Sequence, residues 1–190
     1  MTKGRFIAIE GVEGVGKKIL ANALELELVE KRLDIIVTEE PSDGAIGRRL
    51  RKILAGKLPA PNTEFEFQHL FIEDRLEHIK RTICPFPNLG HWVISAGYWL
   101  STLAYGMLDG NLEKYKKLHS EIIGKEMIYP DMTLLLDAPA GQEKLEEIRC
   151  NYFWLAARGK VGNIAVIDAG GSKEEVLSSA IAVLHEHFNF

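Results

Sequence analysis

The chain predicts an α/β fold in which a parallel, five-stranded sheet is covered by helices on both faces. Three observations predict it. Short apolar or β-branched runs alternate with longer segments of helical period along all 190 residues, the pattern that strand–helix–strand crossovers require. The first apolar run, Phe6 to Ile9, leads into a glycine-rich turn, Gly11-Val12-Glu13-Gly14-Val15-Gly16-Lys17-Lys18. No repeat, low-complexity tract or linker breaks the series, so residues 1–190 read as one domain with a substantial core.

Each element follows from local pattern. Ile19 to Leu33, directly after the turn, is amphipathic and reads as the first helix. Asp34 to Thr38 is a β-branched run that reads as the second strand. Glu39-Glu40-Pro41-Ser42-Asp43-Gly44 is turn chemistry, and Ile46 to Leu54 has helical spacing with several arginines. After Pro59 and Pro61, a long helix is expected over Thr63 to Ile83, with Phe67, Leu70, Phe71 and Ile79 among its apolar positions. Trp92-Val93-Ile94 reads as a third strand, Tyr98 to Leu108 and Leu112 to Ile123 as helices, and Met132 to Leu136 as a fourth strand. Glu143 to Arg158 reads as a helix, Ile164 to Ile167 as the fifth strand, and Glu174 to Phe188 as the closing helix.

Strand, glycine-rich turn and helix is the setting in which G-x-x-x-x-G-K reads as a phosphate-binding loop. Gly11, Gly14 and Gly16 let the backbone approach a polyphosphate. Amide N–H groups at the helix start then face the anion, and Lys17 supplies a point charge. The next position should carry a hydroxyl for Mg²⁺, and here it is Lys18. Ligands of such sheets bind beyond the carboxyl ends of the strands, the edge that gathers the loop, Glu40, Ala96 and Asp137.

Composition narrows the partners. A formal net charge of −4 carries no basic stripe and argues against nucleic acid. No apolar run reaches transmembrane length, and Met1 to Glu10 lacks a signal-peptide core, so a cytoplasmic protein without a membrane partner is expected. Cys84 and Cys150 fit no metal spacing and read as reduced thiols, and His185 and His187 read as exposed side chains. No metal site is expected from these residues.

From Phe6 to Asp168 the chain resembles the thymidylate kinase family. Phe6 to Lys17 is similar to that family's first strand and phosphate loop. Thr38-Glu39-Glu40-Pro41 stands where the family reads Thr-Arg-Glu-Pro, with Ile46-Gly47 at the expected distance. Leu70-Phe71-Ile72-Glu73-Asp74-Arg75 resembles its nucleobase segment. Trp92-Val93-Ile94-Ser95, Tyr98, Ser101, Thr102, Ala104 and Tyr105 resemble its third strand and the helix after it. Pro130 to Asp137 and Val166 to Asp168 resemble its fourth and fifth strands. The resemblance implies a P-loop NTPase-type three-layer fold of the nucleoside monophosphate kinase kind. It also implies transfer of the γ-phosphoryl of ATP to dTMP with Mg²⁺, and a homodimer formed through the helices.

Carried over residue by residue, the resemblance implies that Gly11, Glu13, Gly14, Gly16, Lys17 and Lys18 hold the ATP phosphates. Glu40, Phe71, Arg75, Tyr98, Thr102 and Tyr105 would form the monophosphate site. Phe71 would stack on the base, Arg75 bind its carbonyl or phosphate edge, and Tyr105 pack near the deoxyribose. Thr102 replaces a position that is often Asn or Gln. Four departures bear on catalysis. Lys18 replaces the metal-binding hydroxyl. Ala96-Gly97 replaces the Asp-Arg of Asp-Arg-Tyr, and Glu39 replaces an arginine. Pro139-Ala140-Gly141-Gln142 runs almost directly into the helix from Glu143, leaving an arginine-rich lid shortened or absent. Arg149 and Arg158 read as exposed helix charges, and Asp137 as a structural hydrogen-bonding group, with recruitment of a metal as the alternative. The expectation is a nucleotide-binding thymidylate kinase homologue with strongly impaired transfer; the alternative is a catalytically dead module for nucleotide sensing or protein interaction. Lys18 reads either as a cation standing in for Mg²⁺ or as a residue without a role.

Overall fold

Along β1 (Arg5–Glu10) the side chains alternate between two cores, Phe6 and Ala8 entering one and Ile7 and Ile9 the other, as the two-residue period of a strand requires. The computed structural model describes residues 4–158 and 161–190. In it β1 is flanked by β3 (Trp92–Ala96) and β4 (Met132–Asp137), with β2 (Ile35–Glu39) and β5 (Ile164–Asp168) at the edges. The order is β2-β3-β1-β4-β5 and every pairing is parallel. The parallel five-stranded α/β architecture expected from the sequence is the one found.

Burial fixes the helices on the sheet. α1 (Lys17–Glu30) covers one face with Leu20, Ala21, Leu24 and Leu28 at three- and four-residue spacing. α8 (Lys173–Phe188) lies on the same face, started by a capping box between Ser172 and Glu175. The opposite face packs α3 (Glu64–His78), α5 (Trp99–Gly106), α6 (Leu112–Ile122) and α7 (Glu143–Ala157). α3 begins where the Thr63 hydroxyl accepts the Glu66 N–H, and it continues into a π-helical turn at Ile79–Ile83. The long helix expected over 63–83 is therefore one continuous helical stretch. A short helix, α4 (Pro85–Asn88), has no counterpart in the sequence reading. α2 (Ala45–Leu54) follows β2. Residues 138–142 alone join β4 to α7.

Register brings the strand ends together. Glu39 lies beside Ala96, and Ile9 lies between Ala96 and Leu134. The loop after β1 thus shares one edge with Glu40, Gly97 and Asp137. Among the described residues no helix is long and apolar enough to cross a membrane. Cys84 and Cys150 are exposed free thiols, and His185 and His187 are exposed.

Candidate functional site

The loop between β1 and α1 turns on glycine. Gly11, Gly14 and Gly16 have φ of 138°, 81° and 101°, values that L side chains rarely adopt. A Cβ at Gly11 would also lie 2.7 Å from the Leu136 carbonyl oxygen, so the loop is pressed against β4. Lys17 Nζ donates to the Gly11 and Val12 carbonyls at 2.7 and 2.8 Å, and burial lowers its pKa. The ammonium curls into the loop that would receive phosphates. Just before the loop, buried Glu10 accepts from the Leu100 N–H at 3.0 Å and the Ser101 hydroxyl at 2.5 Å. Burial raises the Glu10 pKa, against the Ser101 bond that lowers it. Glu10 thereby ties β1 to the start of α5.

The charged groups beyond the strands are paired with one another. Lys18 Nζ meets Glu39 Oε1 at 2.9 Å, so two of the four departures from the family pattern form one ion pair. Arg149 grips Asp137 through both carboxylate oxygens, at 2.5 and 3.1 Å, and reaches Glu146 at 3.1 Å. Asp137 is indeed a hydrogen-bonding group. Arg149 is not the free helix charge expected; its position on the face of α7 toward β4 makes the pair geometrically available. At Ala96-Gly97 the backbone itself differs from an ordinary side-chain site, since Gly97 has a φ of 87° and donates to the Ile9 carbonyl at 2.8 Å.

The place expected for a hydroxyl carries an ammonium, and the place expected for a carboxylate carries the Ala96 methyl group. Each Asp137 oxygen accepts a bond from Arg149. Among the described residues, no three His, Cys, Asp or Glu side chains are placed to hold a metal ion.

The second half of the edge is buried. Arg75, 1 % exposed, places every N–H of its guanidinium. Nε bonds Glu40 at 3.0 Å, and Nη2 bonds Glu40 at 2.5 Å and the Tyr98 carbonyl at 2.9 Å. Nη1 bonds the Thr102 hydroxyl at 3.0 Å and His119 Nε2 at 2.8 Å. These are the five donors an arginine has. Glu40 also meets His78 Nδ1 at 3.2 Å, and His78 Nε2 meets Thr38 at 2.8 Å. Burial alone would raise the Glu40 pKa, but the Arg75 charge and the His78 contact hold it below its usual value. Burial, then the Arg75 charge, push His119 down to about 3, so it stays neutral. Its Nδ1 donates to the Tyr115 carbonyl at 2.9 Å, leaving Nε2 to accept from Arg75.

The expected monophosphate residues are distributed unequally around this cluster. Glu40, Arg75 and Thr102 are directly bonded. Phe71, one helical turn before Arg75, stays outside both hydrophobic cores and meets Phe67 at 5.3 Å, which leaves its ring half-buried. Tyr105 is also half-buried, and its hydroxyl accepts the Glu13 N–H at 3.3 Å, joining this side to the loop. Tyr98, expected at the monophosphate site, is fully buried: its hydroxyl donates to the Ile128 carbonyl at 2.8 Å, and its ring lies edge-on to Phe6. Its carbonyl and ring lie beside the Arg75 guanidinium. Arg75, expected to offer donors to a base or phosphate, has none free in this arrangement.

Sequence reasoning missed Glu10, His78 and His119. Each is a polar residue at a position of apolar period, the available signal: Glu10 ends an apolar strand, and His119 follows Tyr115 by one helical turn.

A phosphate loop on the central strand, set across from a buried acidic–basic cluster beyond the neighbouring strands, places the chain among P-loop domains of the nucleoside monophosphate kinase type. Comparison with known proteins narrows the class. The family model for thymidylate kinase matches residues 9–180. The chain is similar to the thymidylate kinase of Cereibacter sphaeroides, 35% identical with 96% of this chain and 94% of that protein covered. It is similar to the thymidylate kinase of Rhizorhabdus wittichii, 36% identical with 95% and 97% covered. A probable thymidylate kinase of Pyrococcus abyssi is 30% identical, with 97% and 98% covered. The chain belongs to the thymidylate kinase family. The Cereibacter alignment runs over 209 positions against a chain of 190 residues, so at least 19 of them have no residue here.

Proposed function

We propose that the chain binds the polyphosphate of ATP at Gly11, Glu13, Gly14, Gly16 and Lys17, and a thymidylate-type monophosphate beside Glu40, Phe71, Arg75, Thr102 and Tyr105, with phosphoryl transfer strongly impaired. The family reaction, ATP and dTMP to ADP and dTDP, is the reference activity. One observation carries the reading: the charged groups at the transfer edge neutralise one another. Lys18 is held by Glu39, and Asp137 by Arg149. Phosphoryl transfer depends on cations and metal placed against the charge of the moving group, and an arginine in that place is worth roughly 10³ to 10⁵ in turnover. The positions missing relative to the Cereibacter protein and the short 138–142 connection support the loss of an arginine-bearing lid.

The monophosphate side needs one exchange of partners. Thr102, a neutral acceptor 3.0 Å from Arg75 Nη1, is the bond released most readily for a base carbonyl. Phe71 supplies a half-buried ring for stacking, and Tyr105 closes the sugar side against the loop. Lys17 must leave the Gly11 and Val12 carbonyls to reach a phosphate.

A coupled ADP-release assay with ATP, Mg²⁺ and dTMP, run with thermal-shift titrations of each nucleotide, tests the reading. Stabilisation by dTMP and ATP with turnover far below the family range of roughly 1 to 100 s⁻¹ is expected. Turnover within that range overturns the impairment, and stabilisation by neither nucleotide overturns the binding. Sedimentation of the same protein reads the homodimer that the resemblance implies.

A further inference from the structure

A cavity of about 740 Å³ lies between the start of α5, α6, the end of α7 and residues 124–129. That volume suits a drug-sized ligand. Its lining joins the rings of Trp99, Tyr129 and Trp154 to two cations, Lys116 and Arg158, and includes no acidic residue although the chain is acidic overall. Arg158 sits over the Trp154 ring at 4.4 Å, and Trp154 is 41 % exposed. The nearest pairing of Lys116 is with exposed Glu113 on its own helix, a solvated contact of small worth.

Trp99 adds an independent observation. It is 7 % exposed, and its indole Nε1 is the one buried side-chain polar atom without a hydrogen-bond partner among the described residues. An unpaired buried donor costs on the order of 1 to 3 kcal/mol. Tyr129, 58 % exposed, stands edge-on to Trp99 at 5.2 Å and is the side chain a ligand would displace to reach that ring.

The cavity also touches the acceptor cluster. His119 is part of its wall, 6.3 Å from Trp99 between ring centres, and the same imidazole accepts from Arg75. Trp99 itself follows Tyr98, whose carbonyl holds Arg75 Nη2. A ligand against Trp99 and His119 therefore presses on two of the groups that position Arg75.

We propose that this cavity binds a small, flat aromatic anion, and that its occupancy is transmitted to Arg75 through His119. The ring lies among Trp99, Tyr129 and Trp154, an acceptor on the ligand takes the indole N–H, and the anionic group faces Lys116 and Arg158. The transmission rests on the acceptor-site reading above; the binding does not.

The test titrates the full chain, without nucleotide, with 1-anilinonaphthalene-8-sulfonate and with its neutral relative N-phenyl-1-naphthylamine, following dye fluorescence and tryptophan quenching. Saturable one-to-one binding of the sulfonate, about tenfold tighter than the neutral dye, is expected from one charge-assisted contact. Lys116→Glu with Arg158→Glu should remove that advantage and leave the neutral dye unchanged. Trp99→Phe, which keeps an aromatic face and deletes the donor, should weaken the sulfonate severalfold more than the neutral dye. Equal affinity for both dyes, indifference to these substitutions, or no saturation overturns the proposal. So does dye binding that vanishes as protein concentration rises, which would assign the cavity to a second copy of the chain. With dye saturating, a dTMP titration should shift severalfold. If dTMP binds but does not shift, the transmission is overturned. If dTMP does not bind even without dye, the acceptor-site reading fails and the dye result stands on its own.

Discussion

The two halves of the sheet edge are built by opposite rules. Around Arg75 the polar groups are buried and every one answers another: Glu40, Thr102, His119, His78 and the Tyr98 carbonyl. Beside the phosphate loop the pairs are more open to water: Lys18 with Glu39 is exposed and Arg149 with Asp137 is part-buried. The difference teaches how to read an intact-looking pocket. Removing one partner of a buried ion pair strands the other and costs about 3 to 5 kcal/mol. Exchanging an exposed pair costs about 0 to 1 kcal/mol. The residues around Arg75 are therefore held by stability whether or not a ligand uses them, whereas the exposed Lys18–Glu39 pair is free to change. Persistence on the buried side is weak evidence of substrate; change on the exposed side is informative about chemistry.

The largest expected effect tests the buried side. Arg75→Met should lower the unfolding free energy by about 3 to 5 kcal/mol in urea titrations, because Glu40 and His119 Nε2 lose their shared partner. A loss within about 0.5 kcal/mol, the range of an ordinary surface substitution, would erase the contrast between the halves.

Next is the attempt to restore the transfer edge. Gly97→Arg places a side chain at a φ of 87°, a conformation that costs roughly 1 to 2 kcal/mol. The combination Lys18→Thr, Ala96→Asp and Gly97→Arg should therefore lose stability and, under the proposed loss of a lid arginine worth roughly 10³ to 10⁵ in turnover, gain less than about tenfold in ADP release. A large recovery from these three changes would show that the connection after β4 is not what limits transfer.

Acidification gives a smaller, sharper comparison. His119 falls from an ordinary value of 6.5 to about 3 in the fold, so below 6.5 the unfolded chain takes up a proton that the native chain refuses. Stability is full above 6.5 and declines as pH falls toward 3. The loss should be roughly 1 kcal/mol between about pH 7.5 and about pH 5.5. Glu40, with its lowered pKa, acts in the same direction only below about its usual 4.5, and Glu10, with its raised pKa, acts in the opposite sense. His119→Gln isolates the effect: the variant should flatten the upper part of the profile, and an unchanged profile would remove His119 from the cluster's energetics. The smallest effect belongs to Lys18→Thr alone, which should change stability by less than about 1 kcal/mol in the same titrations.

Most of the fold is legible in the sequence because strand and helix periods are carried by apolar residues whose burial is one-sided. Phe6 to Ile9, Leu20 with Leu24 and Leu28, and Met132 to Leu136 announce their faces. Phe71 and Arg75 are visible as neighbours on one helix, and the glycines before Lys17 announce their loop. Pairing is not legible. Lys18 and Glu39 are 21 positions apart and Arg149 and Asp137 are 12 apart, so each looks like an isolated oddity until register brings the strands together. His78 and His119 carry no motif; only burial distinguishes them from surface histidines.

The Lys18–Glu39 contact has a consequence for the routes open to the chain. Lys18→Thr alone would leave the Glu39 carboxylate, released from its ammonium, beside a loop built to receive phosphates. Glu39→Arg alone would set a guanidinium against the Lys18 ammonium. Each single step toward the family pattern passes through an arrangement with one charge too many, and only the double exchange escapes it. The pair is nearly neutral to stability, so the cost of either single exchange falls on the charge that a bound phosphate would meet.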